Sequence, residues 1–134
     1  EKLIPKSCKY LKLGKKIPLH NDGTPIRNWL HAQDTADAVV IIIQNMDEHI
    51  INNIFNIAGG FEQSNLDTVR KIITLYNNDS NYSNYLDLSY SRQGQDVRYA
   101  LNDNKLRGLG WEPQKKFDQE LPDIIKYYKE KFIW

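Results

Sequence analysis

One cysteine, one methionine and seven glycines among 134 residues leave several chemistries without their usual residues. Cys8 alone excludes an internal disulfide and fits a reducing compartment. His20, His31 and His49 are too scattered, and Cys8 too isolated, for zinc-ligand spacing, so no metal is expected. The glycines form no Gly-x-Gly-x-x-Gly pattern. Gly59-Gly60 and Gly108-x-Gly110 lack the spacing of a phosphate-cradling strand-to-helix turn, and the chain by itself is not expected to hold a dinucleotide. Serine-nucleophile motifs are absent. The longest apolar run, Ala38 to Ile43, is far shorter than a bilayer requires, and Glu1-Lys2-Leu3-Ile4 shows no signal-peptide apolar region. A charge of one sign is missing too. Eighteen Lys and Arg against seventeen Asp and Glu give a formal net charge of +1, without the bias that draws nucleic acid or membranes. A cytoplasmic setting is expected, with no nucleic-acid or membrane partner. The length suits one domain but is small for a complete α/β enzyme, which points toward a fragment.

What is present is a central stretch, Ile26-Arg27-Asn28-Trp29-Leu30-His31-Ala32-Gln33-Asp34. Alternation places Ile26, Asn28 and Leu30 on one face of an extended segment and Arg27, Trp29 and His31 on the other. Asp34 is expected to cap a helix over Thr35 to Gln44. Before it, Leu3, Ile4, Ser7, Cys8 and Leu11 recur at helical spacing. They predict an amphipathic helix from Lys2 to Leu13, with Pro5 in its first turn, Gly14 at its end and a solvated lysine-rich outer face. Ile17 to His20 is a short extended piece, and Asn21-Asp22-Gly23-Thr24-Pro25 is a dense turn signal.

Farther along, Ile54-Phe55-Asn56-Ile57-Ala58 has the composition of a strand. The glycine pair after it would let another chain or a ligand approach the backbone. Ser64 or Asn65 caps a helix bearing Leu66, Val69, Ile72, Ile73 and Tyr76, with Asp67 placed for a capping box. Asn77 to Tyr85 is expected to be a mobile loop. Leu86 to Ser89 is a weak strand, and Asn102 or Asp103 caps a short helix stopped at Gly110. Asp118 caps a final helix with Leu121, Ile124, Ile125 and Tyr128 inward. The alternation of strands and helices argues α/β architecture.

Acid/base chemistry finds no support. Tyr127-x-x-x-Lys131 has the spacing of a tyrosine and lysine proton-transfer pair, but that spacing is common on any amphipathic helix face. Binding chemistry fares better: Arg27 and Arg92 each offer a planar fork of donors to phosphate oxygens, and Asn56 can add an amide donor. With the extended Pro18-Leu19-His20 backbone nearby, they suggest a nucleoside diphosphate in a cleft.

Several ordered segments resemble the C-terminal part of the dTDP-glucose 4,6-dehydratases, which are extended short-chain dehydrogenase/reductases of the NAD-dependent epimerase/dehydratase group. They are Glu1-Lys2-Leu3-Ile4-Pro5, Gly23-x-x-Ile26-Arg27-Asn28-Trp29-Leu30-His31-x-x-Asp34-x-Ala36-x-Ala38, and Phe55-Asn56-Ile57-Ala58-Gly59-Gly60 followed by Glu62-x-x-Asn65-x-Asp67-x-Val69. Later come Arg92-x-Gly94-x-Asp96-x-Arg98-Tyr99-Ala100, Lys105-Leu106 with Leu109-Gly110-Trp111-x-Pro113, and the aromatic end at Trp134. The resemblance covers essentially the whole chain. It implies a substrate-binding portion that includes the last strand and helix of a Rossmann sheet. NAD and the catalytic residues would lie in a part upstream of Glu1. The implied reaction oxidises C4 of dTDP-glucose, eliminates water across C5 and C6 and returns the hydride to C6. Lys2 and Leu3 would line the sugar and phosphate side, Pro18, Leu19 and His20 would hold thymine, and Arg27, Asn56 and Arg92 would hold the diphosphate. The family usually reads Arg-Pro-Gly-His-Asp where this chain has Arg92-Gln93-Gly94-Gln95-Asp96, which puts a neutral amide at the histidine contact. His20 stands where a tyrosine is common. The resemblance further implies a homodimeric parent protein. Related nucleotide-sugar epimerases, decarboxylases and GDP-mannose dehydratases share this pattern, and a non-catalytic interaction module is the alternative of another class.

Overall fold

A computed structural model describes residues 2–47 and 50–131. Glu1, His49 and Trp134, on which the sequence reading drew, lie outside the described residues. The helices are α1 (Leu3–Lys12), α2 (Ala32–Gln44), α3 (Asn65–Asn77), α4 (Asn104–Arg107) and α5 (Phe117–Glu130). The strands are β1 (Ile17–His20), β2 (Ile26–Trp29), β3 (Phe61–Ser64) and β4 (Leu86–Tyr90). They form two ladders: β1 runs parallel to β4, with Ile17 opposite Leu86 and His20 opposite Tyr90, and β2 runs antiparallel to β3, with Ile26 opposite Ser64 and Trp29 opposite Phe61. The architecture is mixed α/β, as expected.

Two apolar clusters hold these elements. In the first, Cys8 and Leu11 of α1 meet Ile17 and Leu19 of β1, Val69, Ile72 and Ile73 of α3, Leu86 of β4, and Leu121 and Ile125 of α5. The helical periods of α1, α3 and α5 thus turn one face each into a core shared with the β1–β4 ladder. Burial pushes the Cys8 thiol up to about 11, so it is neutral at pH 8 as well as inaccessible. Iodoacetamide at pH 8 is therefore expected to leave Cys8 unlabelled in the native protein and to modify it once the chain is unfolded in denaturant. Native labelling at the unfolded rate would contradict this packing.

The second cluster joins Ala38 of α2 to Leu106 and Trp111, with Leu30, Ile41, Ile42, Phe55 and Ile57 around them. Its link to α2 is polar. The indole Nε1 of Trp111 donates to the Asp34 carbonyl at 3.0 Å, and the Asp34 carboxylate accepts the amides of Gln114 at 2.9 Å and Lys115 at 3.1 Å. Asp34 is 1% exposed. It does not cap α2 as expected; His31 does, its Nδ1 accepting the Gln33 amide, so the helix starts at Ala32. Once His31 fills the cap, the Asp34 carboxylate is free to satisfy two amides of a loop that has no ladder of its own.

Other boundaries move for similar reasons. Ser64 does cap α3: its hydroxyl accepts the Asp67 amide at 3.0 Å and donates to the Asp67 carboxylate at 2.7 Å. Ser64→Ala is expected to cost about 1 kcal/mol in a denaturant titration. Lys116, not Asp118, occupies the N-cap of α5; Asp118 sits in the first turn, where its carboxylate pairs with Lys71. The short α4 ends at Arg107, before Gly110. Asn77 to Tyr85 contains a 3-10 turn and a local network in which Asp79 accepts the Asn81 amide and the Tyr85 hydroxyl, so it is more tied down than its polar composition suggested.

Ile54 to Ala58 forms no strand. A strand needs a ladder partner, and none among the described residues pairs with this segment. Its side chains Phe55 and Ile57 still pack on the second cluster, while Ile54 is 84% exposed. The outer face of α2 is also open, with Val39, Val40 and Ile43 exposed.

Candidate functional site

Arg27 lies on β2 beside the segment Val97 to Tyr99. The Ile26 amide donates to the Val97 carbonyl at 2.8 Å, and the Tyr99 amide donates back to the Ile26 carbonyl at 3.3 Å. Arg27 Nη1 donates to the carbonyls of Ile26 at 2.8 Å and Asp96 at 3.1 Å, and its guanidinium carbon lies 4.1 Å from the centre of the Tyr99 ring. A planar cation stacked on an aromatic face and anchored by one nitrogen keeps other donors outward. The Tyr99 hydroxyl donates to the Asp96 carboxylate at 2.8 Å, which holds its proton above the usual tyrosine range. The positive charges of Arg27 and Arg92 oppose that shift.

The segment is fixed from the far side by Arg98. Its guanidinium forks onto Glu62 of β3 at 3.0 and 2.7 Å, holding the Glu62 carboxyl below its ordinary range. Arg92 sits at the start of the same loop, two residues beyond the end of β4. Among the described residues its guanidinium has no hydrogen-bond or ion-pair partner, and it is exposed.

His20 ends β1 opposite Tyr90, their rings 5.9 Å apart edge to face. Its Nδ1 is buried with no hydrogen-bond partner in the protein, and so is Oε1 of Gln95. Buried polar atoms are seldom left unpaired without cause; here one ends β1 and the other lies in the loop that carries Arg92.

The structure thus gathers Arg27, Arg92, Gln95 and His20 around one loop. The Leu19 side chain is 2% exposed and belongs to the first core cluster. Pro18 beside it is half-buried. Lys2 is exposed at the N-cap of α1 and Leu3 packs onto the first cluster. Asn56 donates its amide to the Asn102 carbonyl at 3.1 Å. No hydrogen bond, ion pair or ring contact among the described residues ties Lys2, Leu3 or Asn56 to the arginine group. Sequence reasoning missed Asn21, Asp96 and Tyr99 as parts of this site, because no local period connects them to Arg27 or Arg92.

A separate cleft of about 670 Å³ lies between β2, β3 and α5. Trp29, Phe61 and Phe117 wall it, the Phe117 ring centre lying 5.2 Å from Trp29 and 5.3 Å from Phe61. Lys115 pairs with Glu120 at its rim. None of the expected site residues lines it.

A Cβ on Gly59 would lie 2.4 Å from the Trp29 carbonyl oxygen, so the close approach this glycine permits is filled by β2 itself. The Gly59 amide is also taken, by the Asn28 side chain at 2.9 Å. Among the described residues no three His, Cys, Asp or Glu side chains are placed to hold a metal, and no helix is long and apolar enough to cross a membrane.

Comparison with known proteins places this geometry in context. The family model described as GDP-mannose 4,6 dehydratase matches residues 1–124. Over 96% of its length the chain is 33% identical to the low-salt glycan biosynthesis protein Agl12 of Haloferax volcanii, covering 39% of that protein. It is also 33% identical to dTDP-glucose 4,6-dehydratase of Haemophilus influenzae, over 96% of this chain and 40% of that protein. The crystal structure of the Streptomyces venezuelae dTDP-glucose 4,6-dehydratase, with NAD and TYD bound, superposes with a TM-score of 0.86 at 28% identity. That match covers 97% of this chain and 39% of the other. The chain spans about 40% of the length of these relatives. The matched part is the C-terminal portion of the extended short-chain dehydrogenase/reductase fold.

Proposed function

We propose, since this chain belongs to the GDP-mannose 4,6-dehydratase family, that it is the nucleotide-sugar-binding portion (residues 1–134) of an NAD-dependent dTDP-glucose 4,6-dehydratase. The observation that carries this reading is the pair Arg27 and Arg92, the first guanidinium anchored on the Asp96 carbonyl and stacked on Tyr99, the second exposed on the same loop as Asp96 and without a partner among the described residues. Two cations, one on β2 and one on the loop beside it, match the charge of a diphosphate and offer it planar donor pairs.

In this reading Arg27, Arg92 and Asn56 hold the diphosphate, and Lys2 and Leu3 line its sugar side. Pro18, the Leu19 backbone and His20 hold the thymine, and Gln95 supplies an acceptor from the same loop. These residues bind and orient; we assign no proton or hydride step to them. NAD and the groups that convert dTDP-glucose to dTDP-4-keto-6-deoxyglucose belong, in this proposal, to the rest of the polypeptide. The exposed faces of Val39, Val40, Ile43 and Ile54 support a packed neighbour there. The protein is proposed to work in the cytoplasm as a homodimer.

The description of the matching family model favours a second reading, in which another nucleotide is preferred. Calorimetric titration of the complete polypeptide with thymidine, uridine and guanosine diphosphates separates the two. The proposal expects thymidine diphosphate to bind tightest; a preference for either of the others overturns the choice of nucleotide.

A further inference from the structure

Between β4 and Asp96, the loop that carries Arg92 has one long-range hydrogen-bonding partner among the described residues, Asn21. The ladder with β1 ends at Tyr90, and the next anchor from β2 is the contact of Arg27 with the Asp96 carbonyl. Asn21 fills the gap, from a position 71 residues earlier. Its Oδ1 accepts the Arg92 amide at 2.8 Å, and its Nδ2 donates to the Arg92 carbonyl at 3.3 Å. The side-chain amide thus copies the paired contact of an antiparallel ladder and extends the sheet edge to the arginine itself.

The backbone of Asn21 is shaped for the task. It has φ 51, in the left-handed region where asparagine is the best tolerated residue after glycine, and its carbonyl accepts the amide and hydroxyl of Thr24 at 3.0 and 2.9 Å. A turn that needed only positive φ would be served as well by glycine. The amide adds something glycine lacks, a grip on the backbone that bears the unpartnered guanidinium.

We infer that Asn21 is a positioning residue for anion binding: its amide clamp on the Arg92 backbone aims the Arg92 guanidinium at the same diphosphate that Arg27 meets. This rests on the diphosphate reading above. Without the clamp, the arginine must be ordered when ligand binds, and that cost appears as lost affinity.

The test uses the complete polypeptide and thymidine diphosphate as the probe. Asn21→Gly keeps the positive φ and deletes only the amide. Its affinity is expected to fall about tenfold, the worth of a contact to a charged group placed poorly. In a double-mutant cycle, Asn21→Gly with Arg92→Ala is expected to bind no more weakly than Arg92→Ala alone, because the clamp acts only through that arginine. A merely structural role would give losses that add. Wild-type affinity in Asn21→Gly, or full additivity, overturns the inference and leaves the diphosphate reading standing if Arg92→Ala is weakened. Unchanged affinity in Arg92→Ala overturns both.

Discussion

Arg27→Ala and Arg92→Ala, each made in the complete polypeptide, are expected to weaken thymidine diphosphate binding roughly ten- to hundredfold. A charge-assisted hydrogen bond contributes about 1.5 to 3 kcal/mol net, and 1.4 kcal/mol is a factor of ten in affinity. The two variants differ in kind. The Arg92 side chain is exposed and without a partner among the described residues, so its loss removes a ligand contact and leaves the surrounding packing alone. Arg27 also bridges the Ile26 and Asp96 carbonyls and covers the Tyr99 ring, so its loss frees the loop as well. Arg27→Lys should not rescue binding, since an ammonium neither forks nor stacks as a guanidinium does. Because both side chains are near the surface, raising the ionic strength should weaken the wild type more than either variant. Calorimetry at two salt concentrations reads both effects, and unchanged affinity in both alanine variants would remove the anion site.

Asp34→Ala is expected to produce the largest stability loss of any single polar substitution discussed, about 3 kcal/mol. The carboxylate accepts two loop amides from a position 1% exposed, and truncation removes the partner of both amides and empties a buried site. The loop it holds carries Trp111, which packs with Leu30 at the end of β2, so the damage spreads from the latch to the strand bearing Arg27. Hydrogen exchange gives the direct readout: the Gln114 and Lys115 amides should lose protection in the variant. Thr35→Ala, one residue away and exposed, should change stability by less than about 0.5 kcal/mol. Equal protection of both amides in Asp34→Ala and wild type would refute the latch.

Much of the helical framework was legible because its signals are local. The period of Leu3, Ser7, Cys8 and Leu11 marks the buried face of α1, and Ser64 with Asp67 marks the start of α3. What depends on distant pairing was not. β1 and β4 were foreseen only as isolated extended pieces; their parallel union joins Ile17 to Leu86, which no adjacent turn signals. Ile54 to Ala58 has strand composition but lacks a partner, and composition cannot supply one. Asp34 carries an ordinary cap signal, yet the competing cap at His31 releases it for a contact eighty residues away. The site divides the same way. Arg27 stood out through alternation and chemistry, whereas Tyr99, Asp96 and the Asn21 clamp exist only once the loop is folded beside β2.

The most direct measurement is turnover by the complete polypeptide, supplied with NAD and dTDP-glucose and followed by mass spectrometry of the sugar nucleotide. The account predicts conversion to a product lighter by one water, with the 4-keto-6-deoxy sugar, and a sharp fall in that conversion at low substrate in Arg92→Ala. Recovery of intact dTDP-glucose, with dehydration of a UDP- or GDP-sugar or of none, would contradict it.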